Sequence, residues 1–195
     1  QIPKVMQNAV LAIEDSRFYE HGGVDYKGVL RAALAQFSEA KSQGASTITM
    51  QLARNFYLST EKTFTRKIYE ILLALKIESV LTKEQILEVY MNQIYLGQRA
   101  HGFAAASEIY FGKPLKDVSV AEAAMLAGLP KAPSAFNPIV TPKRATERQR
   151  YIIDRMLDNG FITPEQHASA KAETLRYRAP SQVPVHAEYV AEAAR

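Results

Sequence analysis

The chain has 195 residues, 47% of them hydrophobic, and it contains no cysteine. These values predict a globular domain with one sizeable core, arranged as two lobes, and they exclude disulfide frameworks and thiolate metal sites. The formal net charge of +4 favours an anionic partner, and it leaves nucleic acid, a phosphorylated substrate and an acidic membrane surface as alternatives.

Both ends of the chain predict that it belongs to a longer protein. No segment approaches the roughly 18 apolar residues that span a bilayer, and the start at Gln1 shows neither an initiator methionine nor a signal-peptide pattern. At the other end, Pro180 and Pro184 indicate an extended linker over residues 176–195. We therefore expect a globular domain over residues 1–175 that is followed by this linker.

The first predicted helix ends at a pair of acidic residues. Its apolar positions, with i, i+3, i+4 spacing, are Ile2, Val5, Met6, Ala9, Val10 and Ile13. The helix therefore brings Glu14, followed by Asp15, to its C-terminal end. The negative end of the helix dipole disfavours an ionised carboxylate there, and so does a second acid beside it. The pair is either a solvated helix end or a functional site, and its position favours function for Glu14.

A basic segment lies at residues 51–67. It contains the cations Arg54, Lys62, Arg66 and Lys67 and the aromatic residues Phe56, Tyr57 and Phe64. This composition is typical of a solvated basic face, and it also suits single-stranded nucleic acid, whose bases stack on aromatic rings. Because no RNA-binding motif accompanies the segment, the pattern alone leaves both interpretations open.

The segment TFTRKIYEILLALKIESVL, residues 63–81, predicts a long helix that is apolar on nearly all sides. Such a helix is expected to be buried. Arg66 and Glu70 lie four residues apart and share one face, which predicts an ion pair between them. A charge pair on a buried helix is costly unless it lines a cleft, so the pair marks a candidate site.

Later helices have clear start and stop signals. Capping boxes, with Gln or Glu three residues after the cap, are predicted at Thr82, Ser119 and Thr163. Pro142 suits the first position of a helix and Asn159 followed by Gly160 suits its end, which predicts a helix from Pro142 to Asp158. Convincing hairpins and repeats are lacking, so the sequence predicts a mainly α fold.

Five segments taken together resemble a known family. They are EDSRFYEHGG (14–23), GASTITMQ (44–51), RKIYE (66–70), KEQILEVYMN (83–92) and GFAAASEIYFGK (102–113). In order and spacing they resemble the five motifs of the peptidoglycan glycosyltransferases, glycosyltransferase family 51, the N-terminal module of class A penicillin-binding proteins. The resemblance covers most of residues 1–175. Two positions depart from the family pattern: Met50 stands where many members have Gln, and Arg54 where many have Lys.

The resemblance implies a mainly α, lysozyme-like fold with a cleft between a larger lobe and a smaller, membrane-proximal lobe. It implies polymerisation of lipid II into β-1,4-linked glycan strands with inversion, and release of undecaprenyl pyrophosphate. Glu14 matches the catalytic base of the family, and Asp15 is expected to set its pKa and orientation. Phe18 is expected to pack beneath Glu14, and His21 and Gly23 to shape the turn.

The resemblance also implies a pyrophosphate site in and beside the basic segment. The expected binding residues are Ser46, Thr49, Gln51, Arg54, Lys62, Arg66 and Lys67, with Ser46 alternatively a helix N-cap. A divalent cation, Mg²⁺ or Mn²⁺, is expected to bridge the pyrophosphate oxygens. Glu70, the second candidate catalytic glutamate, is expected to bind that cation or to orient Arg66. Tyr90, Asn92 and the fifth motif are expected to be scaffold.

The implied partners are lipid II, the lipid-linked glycan chain and the inner-membrane surface of a bacterium, and no nucleic acid is expected. The implied location is the periplasmic or extracytoplasmic face of that membrane. An N-terminal transmembrane helix and a C-terminal transpeptidase domain are expected outside this chain. Inhibitors of the moenomycin type are expected to bind at the pyrophosphate site.

Two other functions compete with this one. A lytic transglycosylase or lysozyme-type hydrolase shares the fold and also uses a glutamate, but its uncharged leaving group has no use for four cations. A non-catalytic module that binds polyanions or nucleic acid would use the basic segment and would leave Glu14 and Glu70 unexplained. Both alternatives therefore account for fewer features than glycosyl transfer from a pyrophosphate.

Overall fold

The computed structural model describes residues 1–35, 44–56 and 63–178, which form a mainly helical domain. The helices are α1 (Lys4–Glu14), α2 (Tyr26–Ala35), α3 (Ile48–Arg54), α4 (Phe64–Val80), α5 (Lys83–Gln93), α6 (Phe103–Phe111), α7 (Val120–Ala127), α8 (Pro142–Asp158) and α9 (Pro164–Ala172), with a 3-10 turn at Leu115–Asp117. In these residues, extended pairing is limited to a bridge between Tyr95 and His101. The predicted mainly α fold is confirmed.

The larger lobe is built around α7, a helix of small residues. Every residue from Ala121 to Ala127 is buried, because the alanines let α1 and α8 pack closely against this helix. Phe103 and Tyr110 of α6 are among the largest fully buried side chains of the same core. This packing fixes the C-terminal end of α1, which carries Glu14.

The smaller lobe is formed by α3 and α4 and has a separate core. Its buried residues are Val24, Met50, Ala53 and Ala74, with Ile71, Leu73 and Ile77 packed against them. Helix α3 joins the lobes, since Ile48 and Leu52 on its other side belong to the core of the larger lobe. The two-lobed arrangement that the sequence predicts is therefore present.

Helix α4 overturns one prediction. The sequence predicts a buried helix, yet the buried side chains of α4 are Glu70 and Ala74. Its exposed residues include the apolar Phe64, Ile68, Tyr69, Leu72 and Leu75. The prediction is wrong because α4 packs against α3 and α5 along one side only, and that side carries the charged Glu70. Apolar side chains thus face outward on α4, as they also do on α2 at Tyr26, Val29, Leu30 and Leu34.

Helix boundaries are confirmed where capping chemistry sets them. Capping boxes with both hydrogen bonds form at all three predicted starts, Thr82, Ser119 and Thr163. Helix α8 begins and ends at the predicted residues. Ser46 is not the N-cap of α3, because Thr47 holds that position and its hydroxyl accepts from the backbone N–H of Met50 at 3.1 Å. The hydroxyl of Ser46 is therefore available for other contacts.

The turn between α5 and α6 supports the expected scaffold role of the fifth motif. Gly102 has a φ of 83°, and a Cβ there would collide with the carbonyl oxygen of Asn92. Tyr110 is buried and donates its hydroxyl to the carbonyl oxygen of Leu96 at 2.9 Å. Glycine and tyrosine at these positions hold the turn against α6.

Beyond α9 the chain lies against α6. Tyr177 stacks on Phe111 with ring centroids 5.5 Å apart, and the backbone N–H of Arg178 donates to the carbonyl oxygen of Tyr110 at 2.9 Å. The predicted linker therefore starts as a packed segment, while residues 179–195 lie outside the described part of the chain. None of the described helices is long and apolar enough to cross a membrane.

Candidate active site

A cleft of about 400 Å³ opens beside the C-terminal end of α1. Its walls come from α1, α2, the segment before α3 and α8, and its lining includes Glu14, Asp15, Arg31, Ser46, Tyr151 and Arg155. The cleft thus brings the first predicted glutamate and Ser46 of the predicted anion site to one cavity.

Glu14 is held by a chain of hydrogen bonds that begins in the core. Its Oε2 accepts from Nε2 of Gln51 at 3.0 Å, and Oε1 of Gln51 accepts from the hydroxyl of Tyr90 at 3.0 Å. Because Tyr90 is fully buried on α5, it fixes the orientation of the Gln51 amide. Gln51, predicted to bind pyrophosphate, is therefore placed to orient Glu14.

The pKa of Glu14 is raised above its ordinary value, as the sequence predicts. Burial is the largest cause, and the neighbouring charge of Asp15 adds a smaller increase. The hydrogen bond from Gln51 and the positive charges of Arg148 and Lys131 act in the opposite direction without cancelling the effect of burial. The carboxylate is thus tuned towards the range in which a general base works well.

Asp15 ties three segments together beneath the site. Its carboxylate accepts from Nε2 of His21 at 2.8 Å and from the backbone N–H of Ile48, the first residue of α3, at 3.0 Å. Nδ1 of His21 accepts from the backbone N–H of Gly23 at 3.1 Å, so the ring proton lies on Nε2. Asp15 therefore positions α3, and hence Gln51, relative to Glu14.

A second site surrounds the carboxylate of Glu70. Oε1 of Glu70 lies 2.9 Å from Nη2 of Arg54 and 3.1 Å from Nζ of Lys67, and Oε2 lies 3.3 Å from Nε of Arg54. The hydroxyl oxygen of Ser46 accepts from the same two cations at 3.2 Å and 3.0 Å. Glu70 is 4% exposed, whereas Arg54 and Lys67 are 42% and 44% exposed. We call these four residues the cation cluster; it carries one net positive charge and is accessible to an anion.

The cation cluster corrects the predicted pairing of Glu70. In the described part of the chain Glu70 bonds Arg54 and Lys67, and the predicted partner Arg66 is not among its contacts. Arg66 lies partly exposed in the first turn of α4, where its backbone N–H donates to Thr63 at 3.2 Å. Helical spacing alone suggests Arg66, because it gives no sign of Arg54 arriving from α3. The predicted Lys62 lies outside the described residues.

The pKa of Glu70 moves in the direction opposite to that of Glu14. Burial raises it, but hydrogen bonds and positive charge from Arg54 and Lys67 outweigh burial, so the pKa lies below its ordinary value. Glu70 therefore stays ionised near neutral pH. Two glutamates with pKa values shifted in opposite directions are typical of active sites in which one carboxylate is a proton acceptor and the other stabilises charge.

Thr49, another predicted binding residue, lies apart from the cation cluster. It is fully buried, and its hydroxyl donates to Oε1 of Glu78 on α4 at 2.7 Å. The same oxygen lies 2.7 Å from Nζ of Lys83 on α5, which in turn lies 4.4 Å from the centre of the Phe18 ring. These contacts join α3, α4 and α5, so Thr49 contributes to the scaffold around the site.

The predicted divalent cation does not fit Glu70 as the described residues arrange it. Both oxygens of Glu70 already accept hydrogen bonds from cationic side chains. No cluster of three or more His, Asp or Glu side chains suited to a metal ion occurs among the residues described, and Mg²⁺ and Mn²⁺ prefer carboxylate and other oxygen ligands. We therefore assign the local charge at this site to Arg54 and Lys67 and derive no step through a metal.

Sequence reasoning missed one residue beside Glu14. Nη2 of Arg148, on α8, lies 3.9 Å from Oε1 of Glu14, and the guanidinium lies 5.0 Å from the centre of the Phe136 ring. Arg148 follows Glu14 by more than a hundred residues in a helix rich in exposed cations. No local motif singles it out, since its role depends on how α8 packs against α1.

The fold places a buried glutamate of raised pKa in one lobe and an accessible pair of cations in the other. The chain belongs to the transglycosylase family, whose model matches residues 1–157. It is 60% identical over 178 residues to a Cupriavidus necator protein provisionally named a transglycosylase, a match that covers 91% of this chain and 77% of that protein.

Penicillin-binding proteins 1A are also similar to this chain. The protein from Neisseria gonorrhoeae is 58% identical over 195 residues, with 99% of this chain and 24% of that protein covered. The crystal structure of the protein from Haemophilus influenzae superposes with a TM-score of 0.55 at 28% identity, covering 91% of this chain and 17% of that chain. The chain thus spans about a quarter of the length of the Neisseria relative.

Proposed function

We propose that this chain is a peptidoglycan glycosyltransferase that polymerises lipid II into β-1,4-linked glycan strands, with inversion and release of undecaprenyl pyrophosphate. The observation that carries the proposal is the separation of two glutamates: Glu14 is tuned as a base, and Glu70 holds two half-exposed cations. Membership of the transglycosylase family and the likeness to penicillin-binding proteins 1A support the class of substrate.

Glu14 acts on the acceptor sugar. It takes the proton of the GlcNAc 4-hydroxyl while the oxygen of that hydroxyl forms a bond to the anomeric carbon of the donor MurNAc. The bond from this carbon to the pyrophosphate oxygen breaks, and its electron pair leaves with the pyrophosphate, which converts the α configuration to β. An alcohol is a weak nucleophile at neutral pH, so a positioned base contributes about 10²–10⁴-fold to the rate.

The cation cluster acts on the leaving group. Pyrophosphate gains negative charge as it departs, and Arg54 and Lys67 are placed to stabilise that charge. Nε and Nη2 of Arg54 bond Glu70 and Ser46, so we propose that its Nη1 donates to a phosphate oxygen. The oxygen of Ser46 accepts from both cations, so its own hydroxyl proton is available to a pyrophosphate oxygen. We propose that Arg66 and Lys62 add to the same positive field.

A hydrolase of the lytic transglycosylase kind is the second candidate. A buried glutamate with a raised pKa also suits a general acid, so Glu14 by itself does not separate the two functions. The cation cluster favours glycosyl transfer, because a sugar hydroxyl leaves without charge and gains nothing from Arg54 and Lys67.

Product analysis distinguishes these two functions. The chain is incubated with lipid II in one reaction and with preformed glycan strands in another. We expect polymeric glycan from lipid II and no shortening of the preformed strands. Cleavage of the strands without polymerisation would contradict the proposal and would favour the hydrolase.

A lipid-linked substrate places this enzyme at a membrane surface. The exposed apolar side chains of α4 and α2 suit insertion into the interfacial region of a membrane. The cations Lys27 and Arg31 on α2 and Lys67 on α4 suit anionic headgroups. We propose that the enzyme works at the extracytoplasmic face of the bacterial inner membrane. We also propose that the chain is part of a longer protein, which has an N-terminal membrane anchor and a C-terminal transpeptidase domain.

Liposome flotation tests the membrane face. Phe64→Ser with Leu72→Ser removes two exposed apolar side chains of α4, and we expect at least a tenfold loss of affinity for anionic liposomes, since each side chain loses a sizeable apolar area. The matched control is Ile139→Ser with Val140→Ser, which removes two exposed apolar side chains between α7 and α8. Equal flotation of the two double variants would contradict the assignment of α4 to the membrane.

A further inference from the structure

The two oxygens of Glu14 have different surroundings. Oε2 accepts from Gln51, whereas Oε1 is buried and has no hydrogen-bond partner among the described residues. Buried carboxylate oxygens normally have a partner, so this one requires an explanation. The cation that faces Oε1 is Arg148, whose Nη2 is 3.9 Å away, beyond hydrogen-bonding distance.

The larger lobe fixes Arg148 at this distance. Its Nε donates to the carbonyl oxygen of Gly128 at 3.1 Å, its guanidinium lies over the ring of Phe136, and its side chain is 12% exposed. Gly128 has little space for a side chain, since a Cβ there would lie 3.3 Å from Cγ of Arg148. Arg148 therefore keeps its position beside Oε1 through contacts that do not involve Glu14.

We propose that Arg148 is a positioning residue for the general base: it favours the ionised form of Glu14 through its charge, and it makes no hydrogen bond to Oε1, so that the acceptor hydroxyl can bond to this oxygen when the acceptor is bound. This inference rests on the proposed function of Glu14. A direct hydrogen bond from Arg148 would occupy Oε1 and compete with the acceptor hydroxyl for it. A fixed cation just beyond hydrogen-bonding distance favours the ionised carboxylate and leaves Oε1 without a hydrogen bond from Arg148.

Asp25, Arg31, Tyr151 and Arg155 line the same cleft as Glu14, but among the described residues they are not the groups that shift its pKa. The charged groups that act on Glu14 besides Arg148 are Lys131, in the segment after α7, and Asp15, while Tyr90 of α5 lies beyond Gln51. Lys131 lowers the pKa of Glu14 less than Arg148 does, and Asp15 raises it. Burial raises the pKa of Tyr90 well above its ordinary value, so its hydroxyl stays protonated. Among the residues that the structure describes, Arg148 is therefore the cation that lowers the pKa of Glu14 most.

Direct titration of Glu14 tests this inference independently of catalysis. The chain is labelled with ¹³C at the glutamate carboxyl carbons, and the signal of Glu14 is assigned by its loss in Glu14→Gln. Arg148→Met keeps an apolar stem against Phe136 but removes the charge, so we expect the pKa of Glu14 to rise. Arg148→Lys keeps a charge and is expected to give a smaller rise.

Arg144→Met is the matched control. Arg144 lies one turn earlier on α8, over the same Phe136 ring at 5.6 Å, but it is exposed and is not among the charges that act on Glu14. We expect this variant to leave the pKa of Glu14 unchanged. Should Arg148→Met fail to fold, Arg148→Gln replaces it, because its amide can still donate to Gly128 while the charge is removed.

The pH–rate profile with lipid II gives the second measurement. In Arg148→Met the acidic limb should move to higher pH. The rate on that side should fall about tenfold for each pH unit by which the limb moves, and it should recover at higher pH. An unchanged pKa of Glu14 in a folded charge-removing variant overturns the role of Arg148, whatever the activity. A raised pKa with an unchanged profile keeps the electrostatic role of Arg148 and overturns Glu14 as the base.

Discussion

Glu14→Gln is expected to lower the rate of glycan polymerisation by about 10²–10⁴-fold, because the amide cannot take a proton from the acceptor hydroxyl. The substitution keeps the size of the side chain, and its amide oxygen can still accept from Gln51. Affinity for a moenomycin-type inhibitor should therefore change little. This combination is typical of an interaction made mainly in the transition state. Initial rates with lipid II and calorimetry with the inhibitor measure the two effects.

Thermal stability gives the same variant an internal check. Because burial raises the pKa of Glu14 in the folded state, ionised Glu14 destabilises the fold above the ordinary pKa of glutamate. Glu14→Gln should therefore keep or raise Tm at pH 7 while activity is lost. Glu20→Gln, which changes an exposed acid in the same motif, serves as the active control. Near wild-type polymerisation by Glu14→Gln would show that Glu14 is not the base.

Glu70→Gln is expected to impair both binding and rate. The amide keeps one oxygen that can accept a hydrogen bond, but the negative charge that Arg54 and Lys67 share is lost, and the two cations repel each other. We expect inhibitor affinity to fall by at least tenfold, because the two cations no longer occupy one fixed position. Calorimetry with the inhibitor at one fixed ionic strength measures this loss.

Glu70→Gln is expected to lower the free energy of unfolding, whereas Glu14→Gln is expected to keep or raise it. The pKa of Glu70 is lowered in the folded state, so its ionisation stabilises the fold above the ordinary pKa and is lost as the pH falls through the folded value. We expect a loss of about 1–3 kcal/mol at pH 7, shrinking in acid.

Glu122→Gln is the control for a buried ion pair outside the site, since Glu122 lies 3.0 Å from Lys113. It should lower stability without changing inhibitor affinity. Equal inhibitor affinity in Glu70→Gln and the wild type would contradict the role assigned to the cation cluster.

The sequence predicted the helix boundaries that depend on residues close together in the chain. Capping boxes and the Pro142 start depend on side chains within three residues of each other, and all of these boundaries are confirmed. The position of Glu14 at a helix end was predicted for the same reason. The sequence offers Ser46 either as a binding residue or as a helix N-cap, and Thr47 holds the cap of α3; both residue types suit a cap, so the sequence does not choose between them.

Contacts between distant segments could not be predicted in this way. Arg54 reaches Glu70 from another helix, and Arg148 reaches Glu14 from the far part of the chain. The outward apolar side of α4 was missed for a different reason. Hydrophobic pattern shows that a surface avoids water, but it does not distinguish a protein core from a lipid surface. The charged Glu70 on the buried side was the sign that this helix is unusual.

Helix α3 contacts both glutamates, and this fixes the distance between their two sites. Gln51 bonds Glu14 and Arg54 bonds Glu70, and Gln51 and Arg54 lie three positions apart on this helix. Three residues correspond to an axial rise of about 4.5 Å. Helix α3 therefore fixes the spacing between Glu14 and the cation cluster, which in the proposed function is the spacing between proton removal and leaving-group departure. A closing movement of the lobes that leaves α3 intact would change access to the cleft while keeping this distance constant.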